Sequence, residues 1–114
     1  MFRLSQSDRF WYPVHVDLVE EDGQRKTHRF DVLFRRMRRS EFQETVRRIE
    51  AGELTDEQLV DDVLLGWRGV QDSNGHDLEI TEENKAKLLD VWPVLPAIAA
   101  AFIEAHSLEG LEKN

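Results

Sequence analysis

Cysteine is absent from this chain of 114 residues. Disulfides, thiolate metal sites and cysteine nucleophiles are therefore excluded, and a reducing compartment is compatible with the composition. No run reaches the ~18 apolar residues that a membrane-spanning helix needs. The opening residues Met1-Phe2-Arg3-Leu4-Ser5-Gln6-Ser7-Asp8 lack the apolar centre of a signal peptide. The chain is thus expected to stay in the cytoplasm where it is made, with no membrane partner. Glycine-rich phosphate loops are missing, and no serine sits in a nucleophile elbow. One modest core, burying roughly two-thirds of the unfolded surface, suits this length, whereas two domains do not fit.

Charge is plentiful but unevenly placed. The net charge is -8, yet residues 1–49 carry 11 Lys/Arg against 8 Asp/Glu, while residues 50–114 carry 4 against 15. A phosphate backbone is repelled by the acidic part, so nucleic acid is a poor partner and has access only through the N-terminal portion. Solvation accounts for most single charge clusters on a small domain.

Residues 1–9 are polar and unpatterned, and a flexible N-terminus is expected there. Beyond them Val14, Val16 and Leu18 alternate with His15 and Asp17, which is strand periodicity, and Pro13 points to an edge. Glu21-Asp22-Gly23-Gln24 supplies a turn, and Phe30, Val32 and Phe34 continue the alternation, which predicts a β-hairpin. Ser40-Glu41-Phe42-Gln43 fits a capping box opening a helix from Glu41 to about Ala51, and Gly52 closes it. A second box, Thr55-Asp56-Glu57-Gln58, opens a helix whose stripe is Leu59, Val60, Val63, Leu64 and Trp67. The two helices are expected to pair antiparallel.

A third helix starts at Thr81-Glu82-Glu83, where carboxylates suit the positive first turn, and buries Leu88, Leu89 and Trp92. Pro96 is acceptable in the first turn of a last helix through Ala105, apolar nearly all round and so either central to the core or reserved for another molecule.

Reactive chemistry has little to stand on. His15, His28, His76 and His106 are scattered, and aligned strands put His15 and His28 on opposite faces, so no metal site is expected. Asp72-Ser73-Asn74-Gly75-His76-Asp77-Leu78-Glu79 has the oxygens of a calcium loop, but its glycine comes too early, and Asn74-Gly75 reads better as a turn in a short hairpin or paired loop. Asp61 and Asp62 diverge by about 100° on a helix and make a poor acid/base couple. No catalytic residue and no cofactor site are expected.

Partner contacts are more credible. Arg35, Arg36, Arg38 and Arg39 could grip phosphate or dock an acidic protein, although solvation explains them as simply. Phe10, Trp11 and Tyr12 cannot all face one core, so at least one meets solvent or another chain.

The helical pair ending in Gly66-Trp67-Arg68-Gly69-Val70, the turn from Asp72 to Gly75, Leu78-Glu79-Ile80-Thr81 before Glu83-Asn84, and Leu88-Leu89 to Pro93 before an alanine-rich helix resemble one family. It is that of the tail assembly chaperones of long-tailed bacteriophages and prophages. The resemblance covers roughly residues 10–106. It implies a non-enzymatic protein that binds the helical tape-measure protein, with the major tail-tube subunit as a further partner, and that is absent from the mature virion. Many members are made in two lengths by ribosomal frameshift. Glu112-Lys113-Asn114 is compatible with codons GAA-AAA-AAC, which contain a slippery A-AAA-AAC heptamer.

The expected fold is α+β, mainly α: a bundle of about four helices with an N-terminal β-hairpin. The domain spans residues 10–106, with a flexible tail at 107–114. Partner contacts are expected at Trp11, Tyr12, Arg35, Arg36, Arg38, Arg39, Ile98 and Phe102, with Trp67 a core anchor. A homo-oligomer through the hairpin edge or the final helix is a further expectation. The rival readings are a nucleic-acid-binding regulatory module using the arginine run and a structural minor tail component.

Overall fold

Alternating apolar side chains on either side of Asp22-Gly23 form two long strands, β1 (Arg9–Val19) and β2 (Arg25–Arg35). The computed structural model describes residues 1–107. The tail from 108 onward, with Glu112-Lys113-Asn114, lies outside the described residues. The strands pair antiparallel, Tyr12 opposite Val32 and Val14 opposite Phe30, so their apolar members share one face. His28 lies on that face and His15 on the other, as the alternation predicts. Pro13 sits on an edge strand, since β1 has a neighbour on one side alone. Residues 1–8 precede the sheet without regular structure and are tied to it where Arg36 donates from its backbone N to Asp8 O (2.8 Å) and from Nε to Ser7 O (2.8 Å).

The following helices are α1 (Arg39–Glu50) and α2 (Asp56–Val63). Thr55 caps α2 as predicted: its hydroxyl accepts from Gln58 N (3.1 Å) while Gln58 Oε1 accepts from Thr55 N (3.0 Å). Thr55→Ala removes the hydroxyl half of this box and leaves the Thr55 N to Gln58 Oε1 bond, and it is expected to cost ~1 kcal/mol; urea unfolding measures it. Ser40 does not cap α1. The N-cap is Arg38, with no side-chain cap bond, because the chain enters the helix as soon as Met37 has reached the core.

The mainly helical bundle is not what forms. Leu64–Arg68 is a third strand, β3, antiparallel to β2, and α2 ends at Val63. Helices occupy 38% and strands 27% of the described residues, a three-stranded antiparallel sheet with four helices. The apolar spacing that predicts helix to Trp67 has a different cause. Residues three apart point to opposite faces of a regular strand. Here a bulge opposite the Leu33/Phe34 step leaves Leu65 as an extra residue, so Leu64 and Trp67 both face the core, opposite Phe34 and Val32. Gly66 disfavours helix by ~1 kcal/mol relative to alanine, and β3 supplies hydrogen-bond partners along the second side of β2.

Gly69, at φ +81°, turns the chain out of β3, a conformation that strains any residue with a Cβ. A miniature hairpin follows. Leu78 N donates to Val70 O (2.8 Å), Gln71 bridges Asp77, and Asp72 Oδ1 accepts from Asn74 N (2.9 Å) and His76 N (3.0 Å). The Asp72 carboxylate therefore closes a turn. Trp67 Nε1 donates to Leu78 O (3.0 Å), fastening β3 to the returning arm. Thr81 then caps α3 (Glu82–Leu89), accepting from Asn84 N at 3.0 Å.

After a 98° bend, α4 (Val94–His106) carries Pro96 in its first turn and packs on β1, α2 and α3. Thus α2 packs on α4, where pairing with α1 was expected. The core between sheet and helices contains Val14, Val32 and Phe34 from the sheet, Leu59, Val60 and Val63 from α2, and Ile98 and Phe102 from α4. Each is nearly or fully inaccessible and contributes ~1.5–3 kcal/mol of apolar burial. No single helix among the described residues is long and apolar enough to cross a membrane.

His106 closes the end of this core against Phe10, Phe42 and Phe102. Its Nε2 accepts from Met37 N (3.2 Å), so the proton must sit on Nδ1, which donates to Phe102 O (3.0 Å). Protonating Nε2 would set two N–H groups against each other. Burial holds the imidazole below its ordinary value of 6.5, reinforced by Arg36 and Arg35 and opposed by the Phe102 carbonyl and Glu41. The unfolded chain then binds the proton first, so His106 contributes stability that is complete above pH 6.5 and declines as pH falls through the folded-state value. Urea midpoints are expected to drop as pH falls below about 6.5, with a shallower drop in His106→Gln.

Candidate partner-binding site

The arginine run does not form one surface. Arg35 points to the helices, where its guanidinium donates to both Glu41 oxygens (3.1 Å each) and to Asp62 Oδ2 (2.7 Å). The Glu41 bonds are the largest influence holding it charged, with Asp62 adding to them and burial opposing. Arg36 turns the other way and lies 4.8 Å over the Phe10 ring while holding Ser7. Arg38 and Arg39 are exposed at the start of α1, without a side-chain partner among the described residues. Two free guanidiniums at a helix N-terminus are a poor track for a phosphate backbone.

The aromatic residues divide as well. Tyr12 faces the core and is half-buried, its phenol pushed up by burial and secondarily by Glu104. Trp11 faces outward at 40% exposure and is the member of the Phe10–Tyr12 trio that meets solvent. Arg68 lies 4.1 Å over its ring and bonds Asp31 Oδ2 (3.1 Å), whose other oxygen accepts from Arg29 (3.2 Å).

Ile98 and Phe102 were expected to meet a partner, and both have 0% exposure. Phe102 is walled by Phe34 (5.1 Å between ring centres) and His106 (4.4 Å). The final helix is central to the core, so it offers neither of these side chains to another molecule. Trp92 is the reverse correction. Expected on the buried face of α3, it lies beyond the end of that helix at 84% exposure, because α3 stops at Leu89 and the chain turns through Val91 N to Leu88 O (3.3 Å).

An open cleft of about 620 Å³ separates α2 from α3. Glu57, Gln58 and Asp61 line it from α2, Glu82, Lys85, Ala86 and Leu89 from α3, and Asp90 and Leu95 close one end. Ala86, Leu89 and Leu95 give it an apolar component, and Leu89 and Leu95 also pack against the core. Lys85 is the one cation among the lining residues. Its side chain is 12% exposed, and Nζ donates to Asp61 Oδ1 (3.2 Å) and Asp61 O (3.3 Å). The neighbouring Asp62 turns to Arg35, so Asp61 and Asp62 do diverge to different partners. Trp92 stands in the short connection between Asp90 and Leu95, two residues of the cleft.

Sequence reasoning missed this site because its charges read as solvated faces of two separate helices. The available signal was Glu57 and Asp61 at i, i+4 on α2, with Lys85, Ala86 and Leu89 at helical spacing on α3. Among the described residues, no group of three or more His, Asp or Glu side chains is placed to hold a metal ion. Comparison with protein-family models, with curated proteins and with solved structures finds no match to this chain.

Proposed function

We propose that this chain is a non-enzymatic tail assembly chaperone of a long-tailed phage or prophage. In this reading it binds the tape-measure protein in the host cytoplasm, keeps it dispersed while tail-tube subunits polymerise around it, and leaves before the virion is complete. The observation that carries the reading is the α2–α3 cleft, where apolar Ala86, Leu89 and Leu95 lie beside Glu57, Asp61, Glu82 and Asp90. A handler of a long helical chain needs an apolar surface to cover its partner's apolar stripes and charge around it to keep the complex dissolved. The resemblance from Gly66 to Thr81 supports the same role. Its residues are spent on a strand, a turn and a helix cap.

Co-expression with the tape-measure protein encoded beside the gene tests the proposal. A soluble co-purifying complex is expected, with the tape-measure chain pelleting when expressed alone. Equal solubility with and without this chain, and no complex, defeats it. Peptides of this chain in purified virions at a fixed stoichiometry would instead assign a structural tail component.

A further inference from the structure

We infer that the α2–α3 cleft takes a short basic amphipathic helix, about two turns long, with its apolar stripe toward Ala86, Leu89 and Leu95 and Lys or Arg beside the acidic rim. The inference deepens the chaperone reading by assigning the chemistry of the segment bound, and it rests on that reading for the partner's identity alone.

Three observations on the cleft lead to this occupant. All but two of its lining residues lie within α2 and α3, Asp90 being the C-cap of α3 and Leu95 lying in the first turn of α4. Backbone groups along helices are engaged within the helices, so an extended peptide finds no strand edge to extend. A third helix, in contrast, can lay its side chains into the groove between two others. The groove is short. Helices of 8 residues on each side run ~12 Å, which accommodates about two turns of an incoming helix with apolar residues at i, i+3 or i+4, and i+7.

Charge selects the flanks of that helix. Glu57, Asp61, Glu82 and Asp90 are four of the nine lining residues, and Lys85, the single cation among them, is already held by Asp61. A neutral or acidic helix would bury apolar surface here at the cost of unrelieved repulsion among these carboxylates, whereas Lys or Arg side chains relieve it. Trp92, largely exposed between Asp90 and Leu95, adds an aromatic face suited to cover an apolar residue or the stem of an arginine.

Fluorescence anisotropy with labelled synthetic peptides tests this on the full chain. One peptide carries the apolar stripe with Lys/Arg flanks, a second the same stripe with Glu flanks, and a third the basic sequence broken by a central proline. The basic helix is expected to bind and the other two to bind roughly tenfold more weakly or worse. Glu57→Lys with Glu82→Lys is expected to invert the preference between basic and acidic peptides. Both residues are exposed, so the fold is retained, and a circular dichroism melt checks this. Trp92→Ala provides an independent variant, expected to weaken the basic peptide and leave the melt unchanged. Equal binding of basic and acidic peptides, undiminished binding of the proline-broken peptide, or no response to either variant overturns the inference. Tape-measure co-purification that survives both variants leaves the chaperone reading standing and removes the cleft assignment. Selective peptide binding without a tape-measure complex does the opposite.

Discussion

Replacing Trp67 with alanine lowers the unfolding free energy by about 3–5 kcal/mol. The side chain is 4% exposed on the core face of β3, and its indole N–H is committed to Leu78 O at 3.0 Å. The substitution removes the largest apolar surface that β3 contributes and leaves the Leu78 carbonyl without this donor. A domain of this size is stabilised by only about 5–15 kcal/mol in total, so a substantial unfolded fraction is expected on modest heating. Trp67→Phe separates the two losses: it retains most of the ring contact and gives up the hydrogen bond, for about 1–3 kcal/mol. Thermal melts of both variants measure the difference. Unchanged stability in Trp67→Ala together with lost partner binding would move Trp67 from the core to the interface.

Phe102→Ala has an effect of similar size, about 3–5 kcal/mol, and corrects an assignment. The ring is fully buried between Phe34 and His106 and also touches Phe42, so alanine leaves a cavity where β2, α1 and α4 meet. Any loss of partner binding should follow the unfolded fraction. At a temperature where the variant is still folded, its affinity for the basic helical peptide is expected to match the parent protein's. A folded Phe102→Ala protein with abolished binding would show that the Phe102 face of α4 does reach the partner.

The hairpin was legible in the sequence because alternation over Val14, Val16, Phe30, Val32 and Phe34 reports one buried face, and Asp22-Gly23 marks the turn between its arms. Thr55 was legible as a cap, and Thr81 as a helix start, since an N-cap is a local contract between a hydroxyl and an amide three residues on. β3 was not. A bulged strand places residues three apart on one face and so imitates a helix, and what distinguishes them is the hydrogen-bonding need of β2, some thirty residues earlier. Ile98 and Phe102 illustrate another limit: a helix apolar all round gives no periodicity from which to tell core from contact. The cleft depends on Lys85 meeting Asp61, two helices brought together by everything between them.

The passage from α2 to β3 has no intervening residue, Val63 being the last of the helix and Leu64 the first of the strand. Such a junction leaves no slack for insertions or deletions. One added residue must either wind the preceding helix round by about 100°, carrying Glu57 and Asp61 away from their present facing, or slip the strand and turn Leu64 and Trp67 outward. Variants of differing length are therefore expected to absorb their changes in the Glu20–Gln24 turn or around Gly52, while the spacing from Thr55 to Gly69 stays constant. In mechanical terms, helix and strand are geared together, and the sheet's register sets the angle at which the cleft opens.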